Sequence, residues 1–339
     1  MRRNTGQLGM NDNNPPATWA DRAVGVGAGL ASALLFVVSS RGSSLAMALA
    51  YFSPLPMIIG GAGFSFPGAL FGAAAGVALL AFAAQPPFAL AFLFGFATPA
   101  LVLAGLMQVR LRSRDPNPAA QRFVTPGEML AAIVGLAILV AAFGVGSLLV
   151  HYHGFEPAMK AVMKHFAPAL DEVVKGLAPV SDDFDAVAIK RLVIMSAPAG
   201  VAASQTLLLA ANLWLAARTI EISGRLRRPW PDLPENVVLP RFVAPVFLIA
   251  AGLAFNGGFV AVFAGIVAAA SGFGLALHGL AALHGLTRDV SLRSAWLAAL
   301  YAAVVILEPW SVIVLAVFGL VESAFSLRAR KARRMKTQG

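Results

Sequence analysis

The sequence predicts an all-α polytopic membrane protein: a bundle of eight to ten transmembrane helices, with broken or re-entrant segments and one amphipathic helix on the outer face. Three observations carry this. Hydrophobic residues make up 58% of the 339 and charged residues 12%, with a mean hydropathy of +0.77, far outside the range of a soluble domain. Apolar runs of membrane-spanning length recur along the chain. Lys and Arg gather at the ends of those runs instead of forming a basic groove, so positive-inside sorting and anionic headgroups explain the net charge of +10 and nucleic acid is excluded as a partner. The absence of cysteine excludes disulfides, thiolate metal sites and Cys nucleophiles.

Residues 1–21 are polar and read as a disordered cytoplasmic tail, with no cleavable signal sequence. Residues 22–327 form a single transmembrane domain. Its first segment, about Ala23 to Ser40, carries two small-residue faces, Ala23–Gly27–Ala31 and Gly25–Gly29–Ala33, either of which allows close helix contact. The second, about Ser44 to Gly63, holds the run Ser53-Pro54-Leu55-Pro56. Each proline removes a backbone donor and crowds the preceding turn, so the pair should break the helix at membrane depth. Segment three, Pro67 to Ala84, lines up Gly68, Gly72 and Gly76, and Gln85-Pro86-Pro87 turns it into segment four, which ends near Arg110.

A basic cytoplasmic loop (110–125) leads to segment five, which starts at Thr125-Pro126-Gly127-Glu128 and runs to about Tyr152. The extracytoplasmic insertion 153–190 shows Met159, Val162, Met163, Phe166, Leu170, Val173, Val174 and Leu177 at helical spacing, an amphipathic helix with a kink expected at Pro168 and a closing helix-start signal at Ser181-Asp182-Asp183. Segment six (Arg191 to Arg218) contains Gln205, Thr206 and Asn212, of which Gln205 and Asn212, like Asn256 further on, are expected to join helices by hydrogen bonds. A second cytoplasmic loop (219–241) is too proline-rich to be helical throughout. Segments seven (Phe242 to Phe255) and eight (Phe259 to Leu286) are divided by Asn256-Gly257-Gly258, and Gly265 and Gly272 make a further small face on segment eight. Segments nine (Ser294 to Leu307) and ten (Trp310 to Leu327) flank Glu308-Pro309, before a basic cytoplasmic tail (328–339).

With both termini cytoplasmic and ten crossings, all but six of the 26 Lys and Arg fall inside. The exceptions are Arg41, Lys160, Lys164, Lys175, Lys190 and Arg191. Segments seven and nine are short for a span of about 20 residues, so either can re-enter.

No Walker lysine, HExxH or GxSxG motif occurs, and no acidic cluster suits a metal or phosphate reaction. The sequence therefore gives no sign of an enzyme, a cofactor or a metal site. The candidate solute-binding residues are Tyr51, Ser53, Pro54 and Pro56 at the broken helix, Asn256 at the second glycine break, His278 inside segment eight, and Glu308 and Trp310 at the outer turn. Each has a structural counter-reading: a packing kink, a helix-joining hydrogen bond, or a solvated turn with an interfacial aromatic anchor. Glu322, about two turns before Arg328, is expected to pair with a cytoplasmic-side Arg or a neighbouring helix.

The run SPLP followed by a Gly-rich helix, HGLAALHGL at 278–286 and GLVESAFSLRAR at 319–330 together resemble the YybS-like family of bacterial membrane proteins, whose function is not established. In the second stretch the family more often shows Gln-Gly-Leu-Ala, so His278 is a departure. That family is similar to the substrate-binding components of energy-coupling-factor transporters. The resemblance implies a multi-pass protein of the bacterial inner membrane that binds a small solute near its outer face. It also implies, as partners, a membrane coupling protein and an ATPase, the first meeting the small faces of the early helices. A scaffold or assembly partner for envelope proteins is the alternative. It would expose a small-residue or apolar face and enclose no polar site.

Overall fold

A computed structural model describes residues 18–39, 42–84, 86–112, 121–177 and 185–338. The expected N-terminal tail up to residue 17, Arg41, Gln85 and the helix-start signal at 181–183 lie outside the described residues. Apart from one short hairpin, the regular structure is helical throughout: α1 (Trp19–Val38), α2 (Ser44–Tyr51), α3 (Pro54–Ile59), α4 (Phe66–Ala83), α5 (Pro86–Phe92), α6 (Thr98–Gln108), α7 (Pro126–His151), α8 (Phe155–His165), α9 (Ala167–Leu177), α10 (Ala186–Ile222), α11 (Leu233–Asn236), α12 (Val243–Leu253), α13 (Gly258–Leu286), α14 (Arg293–Ile306), α15 (Trp310–Phe325) and α16 (Leu327–Gln338). The hairpin, β1 (Arg110–Arg112) with β2 (Gln121–Phe123), pairs antiparallel with Arg110 opposite Phe123; the sequence reading of 110–125 as a loop did not foresee it.

Among the described residues seven helices are long and apolar enough to cross a membrane. α15 and the start of α16, bent by 57° to one another, pass the same test only when taken together, as a broken span or a re-entrant loop. Val243–Asn256 and Arg293–Ile306 are the shorter apolar helices, the two segments whose length marked them in the sequence. At 1.5 Å per residue each falls short of a hydrocarbon core about 30 Å thick.

The described chain divides into two compact units, one comprising residues up to Met129 with Leu208–Asp232, the other Leu130–Leu207 with Leu233 onward; the sequence had treated 22–327 as one. In the first unit, α1 opens with a capping box in which Thr18 and Asp21 bond each other's backbone. It then packs in parallel against α4 through glycine: a Cβ on Gly29 would lie 2.1 Å from the Gly72 carbonyl carbon, and one on Gly25 would lie 2.6 Å from that of Gly68. Only hydrogen at those positions lets the backbones approach so closely. The face in use is Gly25–Gly29–Ala33. Ala23 and Gly27 are exposed and a Cβ on Gly27 would meet nothing within 4 Å, so packing within this unit falls to the other stripe. Gly68, Gly72 and Gly76 form the facing groove as expected.

The two prolines break the second segment less than their spacing suggests. α2 ends at Tyr51, Phe52 and Ser53 turn, and α3 begins with Pro54 at its first position, where the missing N–H costs nothing. A π-helical turn (Gly60–Phe64) completes a single 21-residue span, Ser44–Phe64.

In the second unit α13 and α15 also pack in parallel, with a Cβ on Gly319 falling 2.0 Å from the Leu275 carbonyl oxygen. Gly272 faces Phe247 and Gly265 faces Ala199. Leu239, Val243, Leu275 and Leu315 form one apolar cluster and Val134, Ala202, Ile266 and Ala270 another. The amphipathic insertion is two helices: the first ends at His165 with Phe166 as its cap, and Pro168 sits near the start of the second, as its fixed φ and absent donor favour. Arg191 bonds Glu156 at 3.1 Å and Lys190 bonds Asp171, holding α8 and α9 to the start of α10.

Candidate functional site

Two polar centres are buried among apolar helices, one in each unit. The first lies at the proline break. In a continuous helix the Leu55 amide would bond the Tyr51 carbonyl. Here it bonds Phe52 at 3.0 Å instead, so the Tyr51 carbonyl loses its helical donor. The Asn212 side-chain amide takes the place of that donor at 2.9 Å and also donates to the Leu208 carbonyl at 2.8 Å. Two carbonyl acceptors fix the amide's orientation, so Oδ1 points the other way. On the neighbouring residue, the Ser53 hydroxyl donates to the Ser32 backbone carbonyl at 2.9 Å. Ser32, Ser53 and Asn212 are each at most 1% exposed. Ser32 Oγ and Asn212 Oδ1 are buried without a hydrogen-bond partner among the described residues, a condition that ordinarily costs about 1–3 kcal/mol per group.

The second centre lies where α13, α15 and α16 meet α11. His278 Nδ1 donates to the Val237 carbonyl at 2.8 Å, which sets the tautomer and leaves Nε2 as a lone-pair acceptor, buried and unpartnered. The Arg328 guanidinium donates from Nε to Glu322 at 2.8 Å, and from its other two nitrogens to the carbonyls of Pro234 at 2.6 Å and Val237 at 3.1 Å. The other Glu322 oxygen accepts from the Leu327 amide at 2.8 Å and so caps α16. Ser326, in the left-handed region at φ 50°, makes the bend that brings Arg328 back under the helix end.

The residues singled out in the sequence divide between these places. Tyr51, Ser53, Pro54 and Pro56 all belong to the break. Ser53 and Pro54 are buried, Pro56 is half-buried, and the Tyr51 side chain is 44% exposed, so what Tyr51 offers the centre is its backbone carbonyl. His278 belongs to the second centre. Asn256 is exposed and bonds only the Leu253 carbonyl of its own helix end, at 3.0 Å. Glu308 and Trp310 are exposed at the start of α15, whereas the His278 centre is at its far end, about 20 Å away at helical rise. The length of α15 thus separates His278 from Glu308 and Trp310, and the structure does not bring these three candidates together. Asn212 and Ser32 are the residues the sequence undervalued. Asn212 does join helices as expected, but to an acceptor that only the break creates. Ser32 reads as one more small residue in a small-residue helix.

Among the described residues no three His, Asp or Glu side chains are gathered in a way that could hold a metal ion. The chain is thus a polytopic helical membrane protein with two buried polar centres. A comparison with protein-family models, with curated proteins and with solved structures returned no match.

Proposed function

We propose that the protein is a small-solute-binding or transport component of a bacterial inner membrane, and that its site is the break in the second span. One observation carries the proposal: Ser32 and Asn212, whose side-chain oxygens are buried with no hydrogen-bond partner among the described residues, both bond residues of the break, Ser32 through its carbonyl to Ser53 and Asn212 through its amide to the Tyr51 carbonyl. Discontinuous helices at membrane depth are where transporters commonly hold their solutes. A hydroxyl that both donates and accepts and an amide oxygen that accepts, each on a residue bonded to the break, suit a small neutral polar solute with a donor of its own. No charged side chain bonds at this centre, which argues for neutrality.

The resemblance to energy-coupling-factor binding components extends the proposal to partners, a membrane coupling protein and an ATPase, since the chain has no nucleotide motif of its own. The charge distribution supports cytoplasmic termini.

Ser32→Ala tests the site, because the Ser32 hydroxyl makes no hydrogen bond among the described residues. Purification with native partners, followed by mass spectrometry of proteins and retained small molecules, should find a solute in the wild type. The variant should lose it while keeping the wild type's helical content and elution volume in detergent. Equal retention by the two proteins, or no retained solute and no coupling ATPase, would sink the reading.

A scaffold function is favoured by a different observation, the open Ala23–Gly27 face of α1. Cross-linking from Gly27→Cys to an envelope protein, in cells where no ATPase co-purifies, would support it.

A further inference from the structure

A small apolar cavity of about 260 Å³ opens between the last turns of α13 and the start of α14. It is lined by Leu283, Thr287, Val290, Trp296, Leu297 and Leu300. Pockets for drug-sized ligands start at about 300 Å³, so this one suits a narrower occupant such as a single hydrocarbon chain. Leu300 also packs against the apolar cluster of Leu239, Leu275 and Leu315, so the wall behind the cavity is fixed.

Arg293 stands one helical turn before Trp296 and Leu297 on the same face of α14. A terminal guanidinium nitrogen lies 3.5 Å from the His284 carbonyl, which puts the cation at the cavity's rim beside Leu283 and Thr287. Its Nε is buried and makes no hydrogen bond. The other charges at this end are already engaged: Asp289 with Lys331 at 2.7 Å and Glu235 with Arg288 at 4.0 Å. Among the described residues no carboxylate pairs with Arg293. A buried donor on an unpaired cation is costly unless an anion meets it.

The anion and the chain can come from one molecule. We infer that this is a binding site for an anionic glycerophospholipid, one acyl chain in the cavity and the phosphate on Arg293. The sequence places Arg288 and Arg293 in a cytoplasmic loop, on the leaflet face where anionic headgroups attract basic residues. Trp296, 64% exposed, and Tyr301, whose hydroxyl bonds His284 at 3.2 Å, supply the amphipathic rings typical of the headgroup level. An acyl chain leaving the bilayer for this cavity exchanges one apolar medium for another. Discrimination between lipids therefore falls on the headgroup, and hence on Arg293. The inference is independent of any solute at the proline break.

The test is native mass spectrometry of the full chain in detergent, titrated with phosphatidylglycerol or phosphatidylcholine of identical acyl chains. The wild type should retain one phosphatidylglycerol in preference to phosphatidylcholine, by roughly fivefold for one basic residue at a lipid surface. Arg293→Gln should abolish the preference, Arg293→Lys should keep most of it, and Val290→Trp, at an exposed position on the cavity wall, should weaken retention of both lipids. Unfolding temperatures of the three variants should match the wild type. Equal retention of the two lipids by the wild type, or a preference that survives Arg293→Gln, would overturn the inference.

Discussion

Glu322 and Arg328 face each other across the 57° bend between α15 and α16, with carboxylate and guanidinium 2.8 Å apart and both side chains about 95% buried. The pair closes the bend: one carboxylate oxygen holds the arginine while the other caps the helix that carries it. Arg328 in turn ties down two carbonyls around α11.

Removing one partner leaves a buried charge uncompensated. Glu322→Gln should destabilise the protein by about 3–5 kcal/mol, read as a lower unfolding temperature in detergent. Glu322→Leu combined with Arg328→Met should recover only part of this, because the Pro234 carbonyl then loses its arginine donor and the Leu327 amide its acceptor, at about 1–3 kcal/mol each, while His278 still serves the Val237 carbonyl. Full recovery would show that the carbonyl contacts contribute nothing.

Gly29 and Gly27 are two residues apart on α1 and should differ sharply. A Cβ on Gly29 would lie 2.1 Å from the α4 backbone, whereas one on Gly27 meets nothing within 4 Å. Gly29→Ala must push α1 from α4, at a cost of about 1–3 kcal/mol or more. Gly27→Ala should be neutral or slightly stabilising, since Ala is the better helix former. Thermal unfolding of the two variants side by side is the check, and an equal effect would contradict the packing.

Asn212→Leu leaves the Tyr51 carbonyl buried without a donor and should cost about 1–3 kcal/mol. The loss should concentrate at the break, as faster hydrogen exchange in α2 and α3. Ser32→Ala, on α1 but at the same centre, should leave that exchange pattern unchanged.

Acid should loosen α16 from the turn after α13. Hydrogen bonding and charge from Lys331, with a smaller contribution from Arg288, hold the Asp289 carboxyl below its ordinary value of 3.8. Because the folded value is the lowered one, the stabilisation is complete above the ordinary carboxylate range and disappears as pH falls through the folded value. Exchange in α16, corrected for intrinsic rates, should therefore be flat from neutral pH to about 4 and rise below it. Asp289→Asn should remove that acid-dependent rise.

The all-α polytopic class and the approximate limits of the apolar segments were legible in the sequence, because hydropathy and proline act locally and the bilayer imposes the same demand on every segment. The glycine groove on α4, the short lengths of the segments at Val243 and Arg293, the kink near Pro168 and the pairing of Glu322 with a following arginine were all legible in this way. Which of the two small faces on α1 would be used was not, since Gly25 and Gly27 have the same intrinsic preferences and only the position of α4 distinguishes them. The extent of the proline break was hidden for the same reason: Asn212, 161 residues from Tyr51, supplies the missing donor. Tertiary structure alone decided where the polar groups meet, placing His278 with Arg328 and far from Glu308. Periodicity reports the face a residue occupies on its own helix, and only packing decides which helix that face will meet.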